Sequence, residues 1–224
     1  KGSGIVKLKD KKNLCKNLDK LKIPNPIHSD TYVDGFCDAV YTVAGSAGNN
    51  DSLALTGHIP DRCGYINSNT VLIEDISITG SCFVINASNI VIDGAGYTVT
   101  GDGTDHGFNI TEFNNTTIKN VVFHNFTNIG HLSGASENTI FNVTGNYSTD
   151  KSVFISSSSN NNFSSCTFRN ASTNVVHFFS TSDNNSFWDC DFSSEGIDLI
   201  SIVGSDNTNF TNSVFTLLGS GNID

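Results

Sequence analysis

The chain has 224 residues, 37% of them hydrophobic and only 15% charged, with a formal net charge of −10. That length allows one domain with its own core, or a body with a small cap. No apolar run approaches the roughly 18 residues of a membrane span, and an acidic body argues against nucleic acid as a partner.

Residues 1–22 hold eight lysines against Asp10 and Asp19, a net of +6, so the remaining 202 residues carry −16. Leu8, Leu14, Leu18 and Leu21 recur among the lysines at helical spacing, which predicts a short amphipathic helix over 8–22. Lys7, Lys9, Lys11, Lys12 and Lys16 of this basic arm are expected interface residues. Residues 23–69 contain all three prolines and read as loops with short strands, suited to cap whatever follows.

From about residue 70 the sequence repeats. Ile92, Ile118, Ile140, Phe163, Phe187 and Phe210 form one column, with spacings of 26, 22, 23, 24 and 23 residues. Three residues earlier stand Asn89, Asn115, Glu137, Asn160, Asn184 and Asn207. Three later stand Ala95, Val121, Val143, Cys166, Cys190 and Ser213, and five later Tyr97, Phe123, Gly145, Phe168, Phe192 and Phe215. Eight residues earlier stand Val84, Ile110, Leu132, Ile155, Phe179 and Ile202. A unit of this length cannot bury its own apolar side chains, whereas stacked units can, each strand pairing with its copy one coil away. The expected fold is therefore all-β: a right-handed parallel β-helix of about six coils over 70–224, with residues 1–69 as a basic arm and cap.

Columns of like residues then become internal stacks, and the asparagine column becomes an amide ladder at a turn. Period-2 alternation sends the neighbours of the Ile/Phe column outward, including Phe141 and Trp188. A further outward column is expected at Phe83, Asn109, His131, Phe154, Phe178 and Ser201, whereas His177 is expected to be packed.

Six cysteines form no CxxC pair, which argues against a zinc ribbon or a thioredoxin motif. Cys166 and Cys190 share a column on neighbouring coils and are expected within disulfide reach, while Cys15, Cys37, Cys63 and Cys82 allow three pairings. Twelve Asn-x-Ser/Thr acceptors and an even cysteine count favour a secreted protein carrying N-glycans. Expected carriers are Asn50, Asn86, Asn109, Asn125, Asn146, Asn162, Asn170 and Asn209; Asn115, Asn142 and Asn184 lie at turns and are expected bare.

The stretch "NIVIDGAGYTVTGDGTDHGFNI", followed by "NTTIKNVVFHNF" and "NNFSSCTFRN", resembles the NosD-type (CASH-type) repeats of the pectin-lyase-like superfold. The resemblance covers about residues 70–224 and implies a parallel β-helix. Such repeats occur in sugar-binding and sugar-cleaving proteins and in archaeal surface-layer-like glycoproteins.

Catalytic constellations are sparse in the repeat region, which offers only Lys119, Lys151 and Arg169 as cations. Asp93, Asp189 and Asp191 share no column, and Asp102-Gly103-Thr104-Asp105-His106 reads as a Gly-rich turn before it reads as a calcium or sugar contact. None of the six histidines stands at metal-ligand spacing, and no cofactor motif is present. The chain is therefore expected not to be an enzyme, and to need no metal or cofactor. Two roles are expected in its place. One is a self-assembling surface subunit joined head to tail, with the lysine-rich segment meeting the acidic body, Phe210 and Phe215 at an open edge, and Phe154, Phe178 and Trp188 at lateral contacts. The other is a module that binds or cleaves extracellular polysaccharide.

Overall fold

The structure, a computed structural model, describes residues 63–195 and 198–217, and the backbone of four short strands nearer the N-terminus. The chain forms two compact units, 1–59 and 60–224. In the first, Thr31–Val33 pairs antiparallel with Phe36–Asp38, and Val43–Ala44 with Asn50–Asp51. The expected helix over 8–22 lies outside the described residues, as do the expected interface lysines Lys7, Lys9, Lys11, Lys12 and Lys16.

The second unit is a parallel β-solenoid of three strand walls. Wall one is a seven-stranded sheet running from Gly64–Ile66 through Phe83–Ile85, His106–Thr111, Asn128–Ser133, Val153–Ser156 and Asn174–Phe179 to Asp198–Val203. Walls two and three share a twelve-stranded sheet, because Thr117–Phe126 and Thr139–Ser148 run unbroken through both. Seven coils result, one more than the column count suggests. The extra coil begins at Gly64–Ile66, in parallel register with Phe83–Ile85. It escapes the pattern because Thr70 occupies its Ile/Phe position, buried but polar, with its hydroxyl donating to the Ser68 carbonyl at 3.0 Å.

The Ile/Phe column is in register in every coil from Ile92 to Phe210. Its three phenylalanines stack, with centroids 4.5 Å apart for Phe163–Phe187 and 4.8 Å for Phe187–Phe210. Wall three stacks Ile76, Val99, Phe123, Gly145, Phe168, Phe192 and Phe215. Gly145 is required there: a Cβ would lie 2.8 Å from Ile129 and 2.9 Å from the Phe168 ring. Two assignments shift in the coil of Ile92. Val99, not Tyr97, joins the phenylalanine column, and Gly94, not Ala95, faces Val121. The Gly94–Ala95–Gly96 turn inserts the extra residues that displace them.

Asparagine dominates the turns for a conformational reason. Asn89, Asn115, Glu137, Asn160, Asn184 and Asn207 all have left-handed backbone, φ between 54° and 62°. Asparagine tolerates that region better than most residues. One rung of the expected amide ladder forms there, Asn115 donating to Asn89 at 2.7 Å. The longer, buried ladder lies one residue later. Asn138 donates to the Asn161 side-chain oxygen, and Asn161 to that of Asn185, each at 3.0 Å. The left-handed residue turns its own side chain outward and the next one inward. A parallel serine ladder runs beside it: the Ala135 amide donates to the Ser158 hydroxyl, Ser158 N–H to Ser182, and Ser182 N–H to Ser205.

Wall one corrects the expected outward column. Its outward residues are Tyr65, Val84, Asn109, His131, Phe154, His177 and Ser201. Phe83 and Phe178 are fully buried, and His177 is not packed in the core column, which Val176 occupies. The coil from Phe163 to Phe187 is 24 residues long, and its additional residue falls between Phe178 and Phe187, so counting back from Phe187 lands one position late.

Cys63 and Cys82 form a disulfide joining the first two coils. Cys166 and Cys190 are both buried free thiols, contrary to the expected bridge. Cys166 Sγ donates to the Ile140 carbonyl, 3.4 Å away on the preceding coil, and also interacts with the Cys190 thiol. Burial pushes the Cys166 thiol pKa well up, keeping it protonated. Cys15 lies outside the described residues, and only the backbone of Cys37 is described.

Candidate functional site

Two outward columns carry the residues suited to recognition. The first runs along wall two: Asp93, Lys119, Phe141, Ser164, Trp188 and Thr211. Strand alternation turns these side chains away from the Ile/Phe core column beside them. Phe141 is 41% and Trp188 55% exposed, with half-buried Ser164 on the coil between them. Two coil steps separate the rings, about 10 Å at the usual strand spacing. Beside them stands a column of amides and hydroxyls: Thr117, Thr139, Asn162, Ser186 and Asn209. The Ser186 hydroxyl donates to the Asn162 side-chain oxygen at 3.0 Å, which holds that amide in place.

The charged end of this column is neutralised. Lys119 Nζ lies 3.1 Å from Asp93 Oδ2. Burial pushes the Asp93 carboxyl pKa up, but hydrogen bonds from the Ala95 N–H, the Asn120 amide and Lys119 outweigh it and hold the group below the usual range. On wall three, Arg169 pairs with Asp191 at 2.6 Å. As expected, Lys119 and Arg169 stand in different columns, two coils apart.

The second column, on wall one, is a ring stack. His106 lies on His131 with centroids 4.6 Å apart, His131 on Phe154 at 5.4 Å, and Phe154 on His177 at 5.6 Å. The rings cover one another's faces, so mainly edges reach solvent. Lys151 Nζ sits 5.7 Å from the Phe154 centroid and is held by Asp150 at 2.8 Å, which also accepts from the Thr173 hydroxyl. Burial, with His106 nearby, pushes the His131 pKa down to about 4. Burial also lowers His106, and it lowers His177 with help from Lys151.

This stack makes a pH prediction. His131 binds its proton less readily in the folded chain than in the unfolded one, so the unfolded state takes up more protons on acidification. Stability present above the ordinary histidine value of about 6.5 is lost as pH falls toward 4. After allowance for its solvent-facing edge, the loss is on the order of 1–2 kcal/mol. His131→Phe, which extends the ring stack without a titrating group, should melt higher than the parent at acid pH and lose less stability between neutral and acid. Parallel melting curves at the two pH values check this; identical pH dependence in both proteins would refute it.

The remaining candidates resolve as follows. Asp102–Asp105 is a turn, with His106 opening the next strand: the Asp102 carboxylate accepts from the Thr104 N–H at 3.0 Å and from its hydroxyl, and the latter bond is the main cause of its lowered pKa. Among the described residues, no three of His, Cys, Asp and Glu cluster as metal ligands, and no helix is long and apolar enough to cross a membrane. Of the eight expected glycan carriers, Asn86, Asn162 and Asn209 are exposed, and Asn109, Asn125, Asn146 and Asn170 half-buried. Asn50 lies in a strand described by its backbone alone. Among the expected bare sites, Asn115 and Asn142 donate their amides along turns, Asn142 to Asn120 at 2.9 Å. Asn184 has left-handed backbone. Phe178 cannot make a lateral contact, being buried; Phe154 is half-buried within the stack, and Phe210 and Phe215 are half-buried in the coil 198–217. The sequence signal for the wall-two strip was its alternation. The buried Asn138–Asn161–Asn185 ladder was missed, although polar residues recurring directly after the left-handed column mark it.

No protein-family model matches the chain, and no curated protein matches it. Among solved structures, the catalytic domain of a GH87 alpha-1,3-glucanase, a D1045A variant in complex with nigerose, matches with 17% identity and a TM-score of 0.33. The match covers 68% of this chain and 34% of that one. The expectation that the chain is no enzyme is corrected, because the matched domain is catalytic, but at that TM-score the likeness carries no activity or substrate over to this chain.

Proposed function

We propose that the chain is an extracellular carbohydrate-binding β-helix module that takes a glycan along wall two. The observation that carries this reading is the pair Phe141 and Trp188, exposed in one outward column two coils apart, with small Ser164 between them. A pyranose ring presents a face of C–H groups that packs on an aromatic face, while its rim of hydroxyls seeks hydrogen bonds. The column Thr139, Asn162 and Ser186 supplies donors and acceptors beside the rings. An extended glycan lying parallel to the solenoid axis would meet both sets together.

Export is part of the proposal. The Cys63–Cys82 disulfide and the exposed acceptor Asn86 favour it. The resemblance of residues 70–224 to NosD-type repeats, which occur in sugar-handling proteins, agrees with the reading.

Affinity electrophoresis in gels cast with soluble polysaccharides tests it. The chain should be retarded in at least one polysaccharide, and Trp188→Ala and Phe141→Ala should each weaken that retardation by about tenfold, as loss of one ring contact implies. Reducing ends released in the same mixtures would add cleavage to binding. Unchanged mobility in every polysaccharide, neutral and acidic alike, would end this reading.

A further inference from the structure

We infer that the glycan taken by wall two is uncharged, and that polyuronates and sulfated polysaccharides are rejected. This rests on the carbohydrate-binding reading above and adds a ligand class to it. Residues 63–195 and 198–217 carry fourteen carboxylates against three cations, Lys119, Lys151 and Arg169. Every one of the three is engaged: Lys119 with Asp93 at 3.1 Å, Lys151 with Asp150 at 2.8 Å, and Arg169 with Asp191 at 2.6 Å. The latter two stand apart from the strip, over the Phe154 ring and on wall three.

A polyanion on the strip therefore has no uncommitted cation to meet among the described residues. Recruiting Lys119 would release Asp93, which depends on Lys119 for part of its lowered pKa. Asp189, next to Trp188, is exposed and adds a negative charge where a ligand carboxylate would lie. Like charges brought together across an interface oppose binding by several kcal/mol, and their field reaches about 8 Å at physiological ionic strength. What the strip does offer is ring faces, amides and hydroxyls, all of which suit a neutral sugar. Binding of that kind depends little on salt.

Trp188 is the sole tryptophan of the chain, so its fluorescence reports this strip and not the lysine-rich segment. The full chain is titrated with a soluble neutral glucan and, separately, with polygalacturonate and heparin, at low and at physiological salt. A chelator is present, so that no calcium ion bridges a carboxylate to the surface. The neutral glucan should shift Trp188 emission with the same midpoint at both salts. The polyanions should leave the emission unchanged, or act at concentrations at least about tenfold higher, as like-charge repulsion requires. Asp189→Lys should let polygalacturonate move the emission at low salt. A polyanion that shifts Trp188 emission in the unaltered chain as readily as the neutral glucan overturns the inference while leaving carbohydrate binding intact. If no polysaccharide moves the emission, the carbohydrate-binding reading fails and the inference falls with it.

Discussion

Replacing Phe168 by aspartate should leave no folded solenoid. Phe168 is fully buried in the wall-three stack, between Gly145 and Phe192 in register, with its ring 6.2 Å from Phe192 and 6.4 Å from Phe163. A carboxylate there would meet rings and no donor. An unpaired buried charge is opposed by far more than the roughly 5–15 kcal/mol of stability a domain possesses, so the chain unfolds or stays protonated and strained. Phe168→Ala should be milder, a loss of about 3–5 kcal/mol through the cavity it leaves. Circular dichroism and denaturant unfolding read both variants. An aspartate variant with the parent's strand signal and melting point would mean that Phe168 does not face the core.

Asn161→Leu should rank second, although it replaces a polar residue by an apolar one of similar size in a buried site. Asn161 makes four side-chain bonds: it donates to Asn185 and to the Ala135 carbonyl, and accepts from the Asn138 amide side chain and backbone N–H, each at 3.0 Å. Leucine breaks all four and strands the partners between coils. At about 1–3 kcal/mol for each group left unsatisfied, the total loss is on the order of 4 kcal/mol, since some partners retain a second bond. Asn115→Ala removes one exposed rung and should change stability by under about 1 kcal/mol. Urea unfolding of the two variants side by side checks the contrast; equal losses would mean that the buried ladder holds no more than the exposed one.

The reach of sequence reasoning differed from wall to wall, for physical reasons. Wall two was legible because its Ile/Phe column holds side chains that only a core accepts, and alternation then placed Phe141 and Trp188 outside. Wall one was read one residue out at Phe83 and at Phe178. In Val175-Val176-His177-Phe178-Phe179 every residue is apolar or aromatic, so alternation alone cannot decide whether Phe178 or Phe179 points inward. The register with Ile155 decides it. The doublets Asn160-Asn161 and Asn184-Asn185 hid the buried ladder in the same way: one asparagine serves backbone conformation and its neighbour serves hydrogen bonding, and composition cannot separate the two uses. The candidate strip was legible as exposed aromatics. Its electrostatic character was not, because only the fold shows that each of the three cations already has a carboxylate.

The Cys63–Cys82 disulfide has a mechanical consequence. In a solenoid each coil touches only its neighbours, so stability is a chain of local contacts and opening spreads by peeling. The covalent bond ties the first coil to the second across a 19-residue separation, so a detached first coil stays tethered and re-zips with little search. Unravelling from that side is thus ratcheted backward, and under heat, tension or protease the coils beyond the staple should be the first to yield. Reducing the bond should let the first coil peel from the second more readily, seen as faster hydrogen exchange of the amides in Gly64–Ile66.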